Sequence, residues 1–229
     1  MPVYYSQEER APKVEELFTK IARRYDLIND VQSFGMHRVW KRRLLELAEI
    51  RSGDRVLDLA TGTGDLIRMG RGRVPASGWV GVDFTYAMLR SATKGSPLVQ
   101  GDILKLPICD ESFSAATMAY GLRNLADRSR ALAEIRRVLK PGGRFVFLEF
   151  AKPRLKWMRR LYFIWLRAVQ PFLGWLFFRD SETYRYIWRS LSEYPEVDAV
   201  CRELEAAGFR SVEAHRLFAG MMSIHVAVT

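Results

Sequence analysis

The sequence has few cysteines, few histidines and no long apolar run, and each shortage narrows what the chain can be. Its two cysteines, Cys109 and Cys201, are far apart and have no clustered histidines near them, which disfavours a zinc site and favours a reducing compartment. No stretch approaches the roughly 18 apolar residues that a membrane-spanning helix needs, and the first twelve residues contain no apolar signal segment. We therefore expect a cytoplasmic protein without a bound metal.

Acidic residues are also in short supply. The 36 basic and 26 acidic residues give a formal net charge of +10, which fits a polyanionic partner, an anionic membrane surface or simply an arginine-rich exterior. The length of 229 residues and an apolar content of 48% suit one globular domain spanning residues 1–229.

Apolar runs and helical stretches alternate along the chain. This alternation predicts an α/β fold in three layers, with helices on both faces of a mostly parallel sheet. The predicted strands are Arg55–Ala60, Trp79–Asp83, Pro97–Gly101, Phe113–Ala119, Arg144–Phe150, Phe209–Arg216 and Met221–Val228. Between the helix Ser129–Leu139 and the fifth strand, the KPGG segment (Lys140 to Gly143) predicts a helix stop and a turn.

The segment VLDLATGTGDL (Val56 to Leu66) reads as a strand, a glycine turn and a helix. Gly62 and Gly64 allow a tight turn and a close approach of the backbone to a ligand. The third glycine of the dinucleotide fingerprint is missing, because Ile67 stands there. A dinucleotide is therefore disfavoured as the ligand.

Three acidic residues accompany this turn. Asp83 ends the next strand, where a carboxylate can accept hydrogen bonds from both hydroxyls of a ribose. Asp102 ends the third strand, where its carboxylate or the neighbouring backbone can read an adenine amino group. Asp58 precedes the turn and either contacts the ligand or organises the turn by bonding backbone amides. Together with the two glycines, this order predicts S-adenosylmethionine as the cofactor.

Several longer segments resemble one enzyme family, the ubiquinone/menaquinone biosynthesis C-methyltransferases of the class I S-adenosylmethionine-dependent fold. The resemblance covers nearly the whole chain. It rests on YDLINDVQSFGMHRVWKR (Tyr25–Arg42), LDLATGTGD, YGLRNLADRSRALAEIRRVLKPGGRFVFLEFAKP (Tyr120–Pro153), YRYIWRSLSEYP (Tyr184–Pro195) and LEAAGFRSV (Leu204–Val212). The segment most specific to this family is GLRN followed by LEF and KP.

The resemblance implies a Rossmann-like fold with a seven-stranded, mostly parallel sheet and an antiparallel C-terminal strand. It also implies methylation of a ring carbon of a polyprenyl quinol, with demethylmenaquinol to menaquinol preferred. Thr63, Asp83, Asp102 and Ile103 fall on the family's cofactor positions, alongside Gly62, Gly64 and Asp58. Ala119 departs from the pattern, since relatives often carry a serine there that contacts the cofactor.

The reaction that the resemblance implies needs a group that stabilises a phenolate. Arg123, in the segment after the fourth strand, is the predicted electrostatic stabiliser, and a surface ion pair is its alternative role. Asn124 is predicted to orient the hydroxyl or a water, and Tyr120 to pack on the ring or the methyl donor. Neither His37 nor His225 stands out as the general base, which stays unassigned.

Two further segments are predicted to serve the site. The N-terminal residues 1–50 form a helical lid, or else a packing helix, with Tyr25, Asp26 and Asn29 over the site. Residues 154–180 form a basic amphipathic insertion in which Lys156, Arg160 and Arg167 share a helical face, and Pro171 ends or kinks the helix. This insertion predicts peripheral contact with the inner face of the membrane, with packing on the sheet or on a second copy as the alternative.

Other functions fit the sequence less well. The same cofactor domain could methylate another lipid or a small phenol, or act only as a cofactor-binding scaffold. A nucleic-acid methyltransferase would explain the positive charge. That class commonly carries an Asn/Asp-Pro-Pro-aromatic motif after the fourth strand, however, and this chain has Ala119, Tyr120 and Gly121 there, so no nucleic-acid partner is expected. Benzoquinol and naphthoquinol substrates remain open, as does a homodimer.

Overall fold

A computed structural model describes residues 7–22, 25–33, 35–75, 78–92, 95, 97–178 and 182–229. Within these ranges one seven-stranded sheet has the order β3-β2-β1-β4-β5-β7-β6. The strands are β1 (Val56–Leu59), β2 (Trp79–Asp83), β3 (Leu98–Gln100), β4 (Phe113–Ala119), β5 (Leu139–Phe150), β6 (Ser211–Leu217) and β7 (Met222–Val228). β7 is antiparallel to both of its neighbours, and the pairs from β3 to β5 are parallel. The predicted fold class is confirmed.

The helices fall in the order that the alternation predicts, with an additional group before β1 and another between β5 and β6. They are α1 (Gln7–Ile21), α2 (Tyr25–Ser33), α3 (Met36–Leu47), α4 (Asp65–Gly70), α5 (Tyr86–Ser91), α6 (Arg128–Val138), α7 (Lys156–Ile164), α8 (Gln170–Phe178), α9 (Glu182–Glu193) and α10 (Val197–Ala206). Among the described residues, no helix is long and apolar enough to cross a membrane.

Two apolar cores lie on opposite faces of the sheet. Successive strand side chains point to opposite faces, so alternate residues of β5 enter different cores. Phe145 and Phe147 pack in the core that contains residues of α6, α9 and α10. Val146 and Leu148 pack in the core that contains Trp40 of α3 and residues of α4. This division produces the predicted three layers.

Two local predictions need correction. The KPGG segment lies within β5, where the pairing with β4 skips from Leu139 to Arg144, so the turn forms a bulge inside the strand. Pro171 does not end its helix, since α8 continues past it to Phe178; a π-helical turn at Trp165–Val169 directly precedes α8, an irregularity of the kind that accompanies the alternative, a kink. Parts of the predicted lid (residues 1–6, 23, 24 and 34) and residues 179 and 180 of the predicted insertion lie outside the described residues.

Candidate active site

The turn after β1 adopts the conformation that its glycines predict. Gly62 and Gly64 have φ values of 58° and 74°, in the left-handed region that glycine tolerates best. A Cβ atom on Gly62 would lie 3.1 Å from Cε of Met88, so a side chain here would crowd the end of the Met88 side chain. The turn therefore presents bare backbone at the carboxyl end of β1.

Asp83 ties this turn to the end of β2. Its Oδ2 accepts a 2.8 Å hydrogen bond from the Gly62 amide, and its Oδ1 accepts one of 2.8 Å from the Thr85 amide. Burial raises the pKa of Asp83, while the two amide hydrogen bonds favour its charged form. Each carboxylate oxygen has two lone pairs, so both oxygens can still accept a ribose hydroxyl. The residues present thus suit the ribose of S-adenosylmethionine.

A cavity of about 120 Å³, the turn cavity, lies beside Gly62 and Asp83. Of the residues predicted to bind the cofactor, Gly62, Asp83, Asp102 and Ile103 line it. Asp102 is held by a 2.9 Å hydrogen bond from the Leu104 amide to its Oδ1. The N-terminal helices also contribute to the wall, through Ala11, Val14, Phe18 and Tyr25.

Asp58, Thr63 and Gly64 are not among the described residues that line the turn cavity. Asp58 accepts hydrogen bonds from the hydroxyls of Thr61 (2.6 Å) and Thr117 (2.8 Å), so it organises the turn through side chains and not through backbone amides. Burial raises the pKa of Asp58 to about 7. Thr63 donates a 2.9 Å hydrogen bond to Asp26, which fastens α2 to the turn.

A second cavity of about 610 Å³, the apolar cavity, adjoins this region. Its wall is mainly apolar and includes Trp40, Phe150, Trp157, Met158, Leu161, Tyr162, Trp165, Leu166, Phe218, Met221 and Met222. Tyr120 lines both cavities and has a φ of 63°, an unusual value for a residue with a large side chain. Its ring is 5.3 Å from that of Phe150. Tyr120 is therefore a wall shared by the two cavities.

Arg123 occupies a different environment from the one predicted. Its Nη1 lies 2.7 Å from Oε1 of Glu149 and donates a 2.8 Å hydrogen bond to the Tyr120 carbonyl, and its Nε lies 3.3 Å from Oγ of Ser190. The residue is buried and lines a separate cavity of about 40 Å³, the small cavity. The buried carboxylate of Glu149 thus already compensates the charge of Arg123. The guanidinium is neither at the protein surface nor among the groups that line the apolar cavity.

Asn124 holds the same peptide in place. Its Nδ2 donates a 3.1 Å hydrogen bond to the Tyr120 carbonyl, and its Oδ1 accepts one of 2.6 Å from the Tyr186 hydroxyl. Asn124 also lines the turn cavity. Of the three residues predicted to be catalytic, Tyr120 and Asn124 therefore reach a larger cavity, and Arg123 supports Tyr120 from the small cavity.

Comparison with known proteins identifies the family of the chain. Residues 5–229 match the ubiE/COQ5 methyltransferase family. The chain belongs to that family. It is 40% identical to the ubiquinone/menaquinone biosynthesis C-methyltransferase UbiE of Pseudomonas savastanoi pv. phaseolicola, over 96% of this chain and 90% of that protein.

Solved structures of more distant proteins share the fold. A methyltransferase of Haloferax volcanii, solved with the Trm112 activator, has a TM-score of 0.64 at 19% identity over 92% of this chain and 96% of its own. The phosphoethanolamine N-methyltransferase 2 of Haemonchus contortus, in complex with S-adenosyl-L-methionine, has a TM-score of 0.61 at 14% identity over 83% of this chain and 52% of its own. As a member of the ubiE/COQ5 family, the chain is an S-adenosylmethionine-dependent methyltransferase.

Lys41 is a site residue that the sequence analysis missed. Its side chain is only 2% exposed, and its Nζ forms an ion pair with Asp65 and lies 5.5 Å from the centre of the Tyr120 ring. Burial lowers the pKa of Lys41, but Asp65, together with Tyr25 and Asp26, more than offsets this, so the pKa is raised. A lysine within a charged helical segment usually indicates a solvent-exposed face, so no sequence signal marked this position.

Gln170 and His37 add polar groups to the wall of the apolar cavity. Gln170 is buried and lines the apolar cavity, and its Oε1 has no hydrogen-bond partner among the described residues. His37 lines the same cavity. His225 instead stacks on Phe147, at 4.6 Å between ring centres, and burial lowers its pKa to about 4. The apolar cavity thus contains polar groups at a few positions only.

Proposed function

We propose that the chain methylates a ring carbon of a polyprenyl quinol, with conversion of demethylmenaquinol to menaquinol as the preferred reaction. The printed names of its Pseudomonas relatives, which refer to ubiquinone and menaquinone biosynthesis, support this substrate class. The observation that carries the proposal is the apolar cavity of about 610 Å³, which shares Tyr120 with the turn cavity. A site for a small polar acceptor would not need so large an apolar volume.

S-adenosylmethionine supplies a methyl group on a positively charged sulfur. In this proposal Gly62, Asp83, Asp102 and Ile103 hold the cofactor, and Tyr120 packs beside both the methyl donor and the quinol ring. No metal is required, because the chain's task is to align the ring carbon with the methyl group. Such alignment can contribute ~7–11 kcal/mol in favourable cases.

The same proposal includes peripheral binding to the inner face of the membrane. Four large apolar residues that line the apolar cavity are also exposed, namely Trp157, Leu161, Trp165 and Phe218, and we call them the apolar rim. Lys156 and Arg160 are exposed on the same helix as Trp157. Tryptophan with basic residues suits the boundary between lipid headgroups and acyl chains. A quinol tail could then pass from the bilayer across the apolar rim into the cavity.

Methyl transfer with isotope-labelled S-adenosylmethionine tests the function. Reduced short-chain demethylmenaquinol and demethylated benzoquinol would be offered in parallel, and the products identified by mass. We expect a ring-methylated naphthoquinol to form fastest. Methylation of neither quinol, by a protein that binds the cofactor, would contradict the proposal and favour another lipid or phenolic acceptor.

A further inference from the structure

We propose that His37 is the general base that takes the hydroxyl proton of the bound quinol. The inference rests on the proposed function, because it assigns a catalytic residue for a quinol in the apolar cavity. His37 lies on α3 and lines that cavity together with Tyr120. Lys41, one helical turn further along the same face of α3, lies against the ring of Tyr120. His37 is therefore close to the wall that separates the two cavities.

The hydrogen bonds around Ser33 determine which ring nitrogen of His37 carries the hydrogen. The Ser33 hydroxyl donates a 2.7 Å hydrogen bond to the Asn29 carbonyl. Nδ1 of His37 lies 2.8 Å from the same hydroxyl oxygen. A serine hydroxyl has one hydrogen, and when the Asn29 carbonyl accepts it, Nδ1 is the donor to the hydroxyl oxygen. In the neutral ring Nε2 then carries the lone pair, which a general base requires.

The charges that face His37 suit this role. Burial and the positive charge of Lys41 lower its pKa, against the opposing effect of Asp30 and Asp65, and Arg38 lowers it slightly further. The ring is therefore neutral near pH 7, with Nε2 free to accept a proton. Oδ1 of Asp30 lies 3.7 Å from Nε2, so it stabilises the imidazolium once that proton arrives.

Asp30 is itself fixed in place. Its two carboxylate oxygens accept hydrogen bonds of 2.9 Å and 2.6 Å from Nε and Nη2 of Arg38. This fork-to-fork pair orients the carboxylate. The result is a chain from Arg38 through Asp30 to His37, in which a base is oriented by a third group.

Nε2 of His37 takes the hydroxyl proton, and the electron pair of the O–H bond flows into the ring, which makes the adjacent carbon nucleophilic. That carbon bonds to the methyl group, the sulfur keeps the electron pair of the broken bond, and the carbon's own hydrogen leaves to water as a proton. The ring becomes aromatic again as a phenolate, which regains its proton from His37. One proton is released in total.

Single-turnover methyl transfer as a function of pH tests the assignment, with His37→Asn as the variant. Asn keeps a donor for Ser33 but offers no base. We expect the wild-type rate to fall as the pH drops through a pKa below 6.5, and the variant to be about 10²–10⁴-fold slower at pH 7 without that fall. The variant should bind cofactor and quinol as the wild type does. A rate within threefold of wild type, with the same pH profile, would overturn the proposal.

A matched control and a direct measurement keep the outcome clear. His215→Asn removes a histidine from β6, outside the residues that line the two cavities, and should keep the wild-type profile. In wild type, NMR of the ring nitrogens should show His37 in the Nδ1–H form at pH 7 and a change in its Nε2 signal when quinol binds. An Nε2–H form would overturn the proposal even if His37→Asn failed to fold. If wild type methylates no quinol at all, the proposed function fails and not the assignment alone.

Discussion

Arg123 and Glu149 form an ion pair inside the protein, with Nη1 of the arginine 2.7 Å from Oε1 of the glutamate. Glu149 also accepts hydrogen bonds from the backbone amides of Arg123 (3.1 Å) and Phe150 (3.0 Å). Since Arg123 donates in turn to the Tyr120 carbonyl, the pair connects β5 to the residue that separates the two cavities. The carboxylate is completely buried, so it depends on these partners.

The first prediction concerns this pair. Arg123→Met should lower the free energy of unfolding by ~3–5 kcal/mol, because it leaves Glu149 charged and buried without a counterion. Glu149→Leu should be similarly destabilising. The double variant should recover much of the loss, since both charges are gone. Urea unfolding of wild type, the two single variants and the double variant measures this coupling. If the losses in free energy of unfolding simply add in the double variant, the prediction is contradicted.

The Arg123–Glu149 pair is also an example of a feature that could not be predicted from the sequence. The alternation of strands and helices predicts the sheet, and the Gly62–Gly64 turn followed by Asp83 predicts the cofactor cavity, because both are patterns of neighbouring residues. The partners of Arg123 and Lys41 lie 26 and 24 residues away along the chain. Which charges meet in the interior depends on how helices pack on the sheet, and a single sequence carries no local signal for that.

The second prediction concerns Asp83. Asp83→Ala removes the acceptor for a ribose hydroxyl pair and also releases the Gly62 and Thr85 amides. We expect the affinity for S-adenosylmethionine to fall by ~1–3 kcal/mol, because paired hydrogen-bonding groups lose their partner. Calorimetry measures the change, and Glu213→Ala on the edge strand β6 is the control. Unchanged affinity in a folded Asp83→Ala protein would exclude the ribose contact.

The third prediction follows from the raised pKa of Asp58, about 7 in the folded protein against 3.8 for a fully solvated aspartate. Between these two pH values the folded state holds a proton that the unfolded state has lost. Stability contributed by this proton is therefore complete below about pH 4 and is lost as the pH rises towards 7, by at most ~1.4 kcal/mol per pH unit. Asp58→Asn should remove this dependence. The free energy of unfolding is measured at pH 5 and pH 8 for wild type and for Asp58→Asn. If it falls by the same amount between these pH values in both proteins, the prediction is contradicted.

The fourth prediction concerns the membrane. Lys156→Gln combined with Arg160→Gln should weaken binding to anionic vesicles, and raised salt should weaken wild-type binding in the same way. Arg159 is a poorer choice for this test, because it pairs with Glu196 at 2.9 Å and its loss would disturb the fold. Arg202→Gln combined with Arg210→Gln serves as the control of equal charge. Vesicle binding that is equal for wild type, this variant and the control would contradict the prediction. If sedimentation also shows self-association, the apolar rim would be the contact surface of a homodimer.

The last prediction concerns Gln170, which lines the apolar cavity and whose Oε1 has no partner among the described residues. A buried acceptor without a donor costs ~1–3 kcal/mol, so Gln170→Met should make the ligand-free protein more stable to urea. A quinol hydroxyl could satisfy this oxygen, and the same substitution should then raise the quinol KM about three- to tenfold, the equivalent of one neutral hydrogen bond. The KM for S-adenosylmethionine should stay constant, which provides the internal control. Loss of stability with an unchanged quinol KM would mean that Gln170 is bonded within the fold and does not contact the substrate.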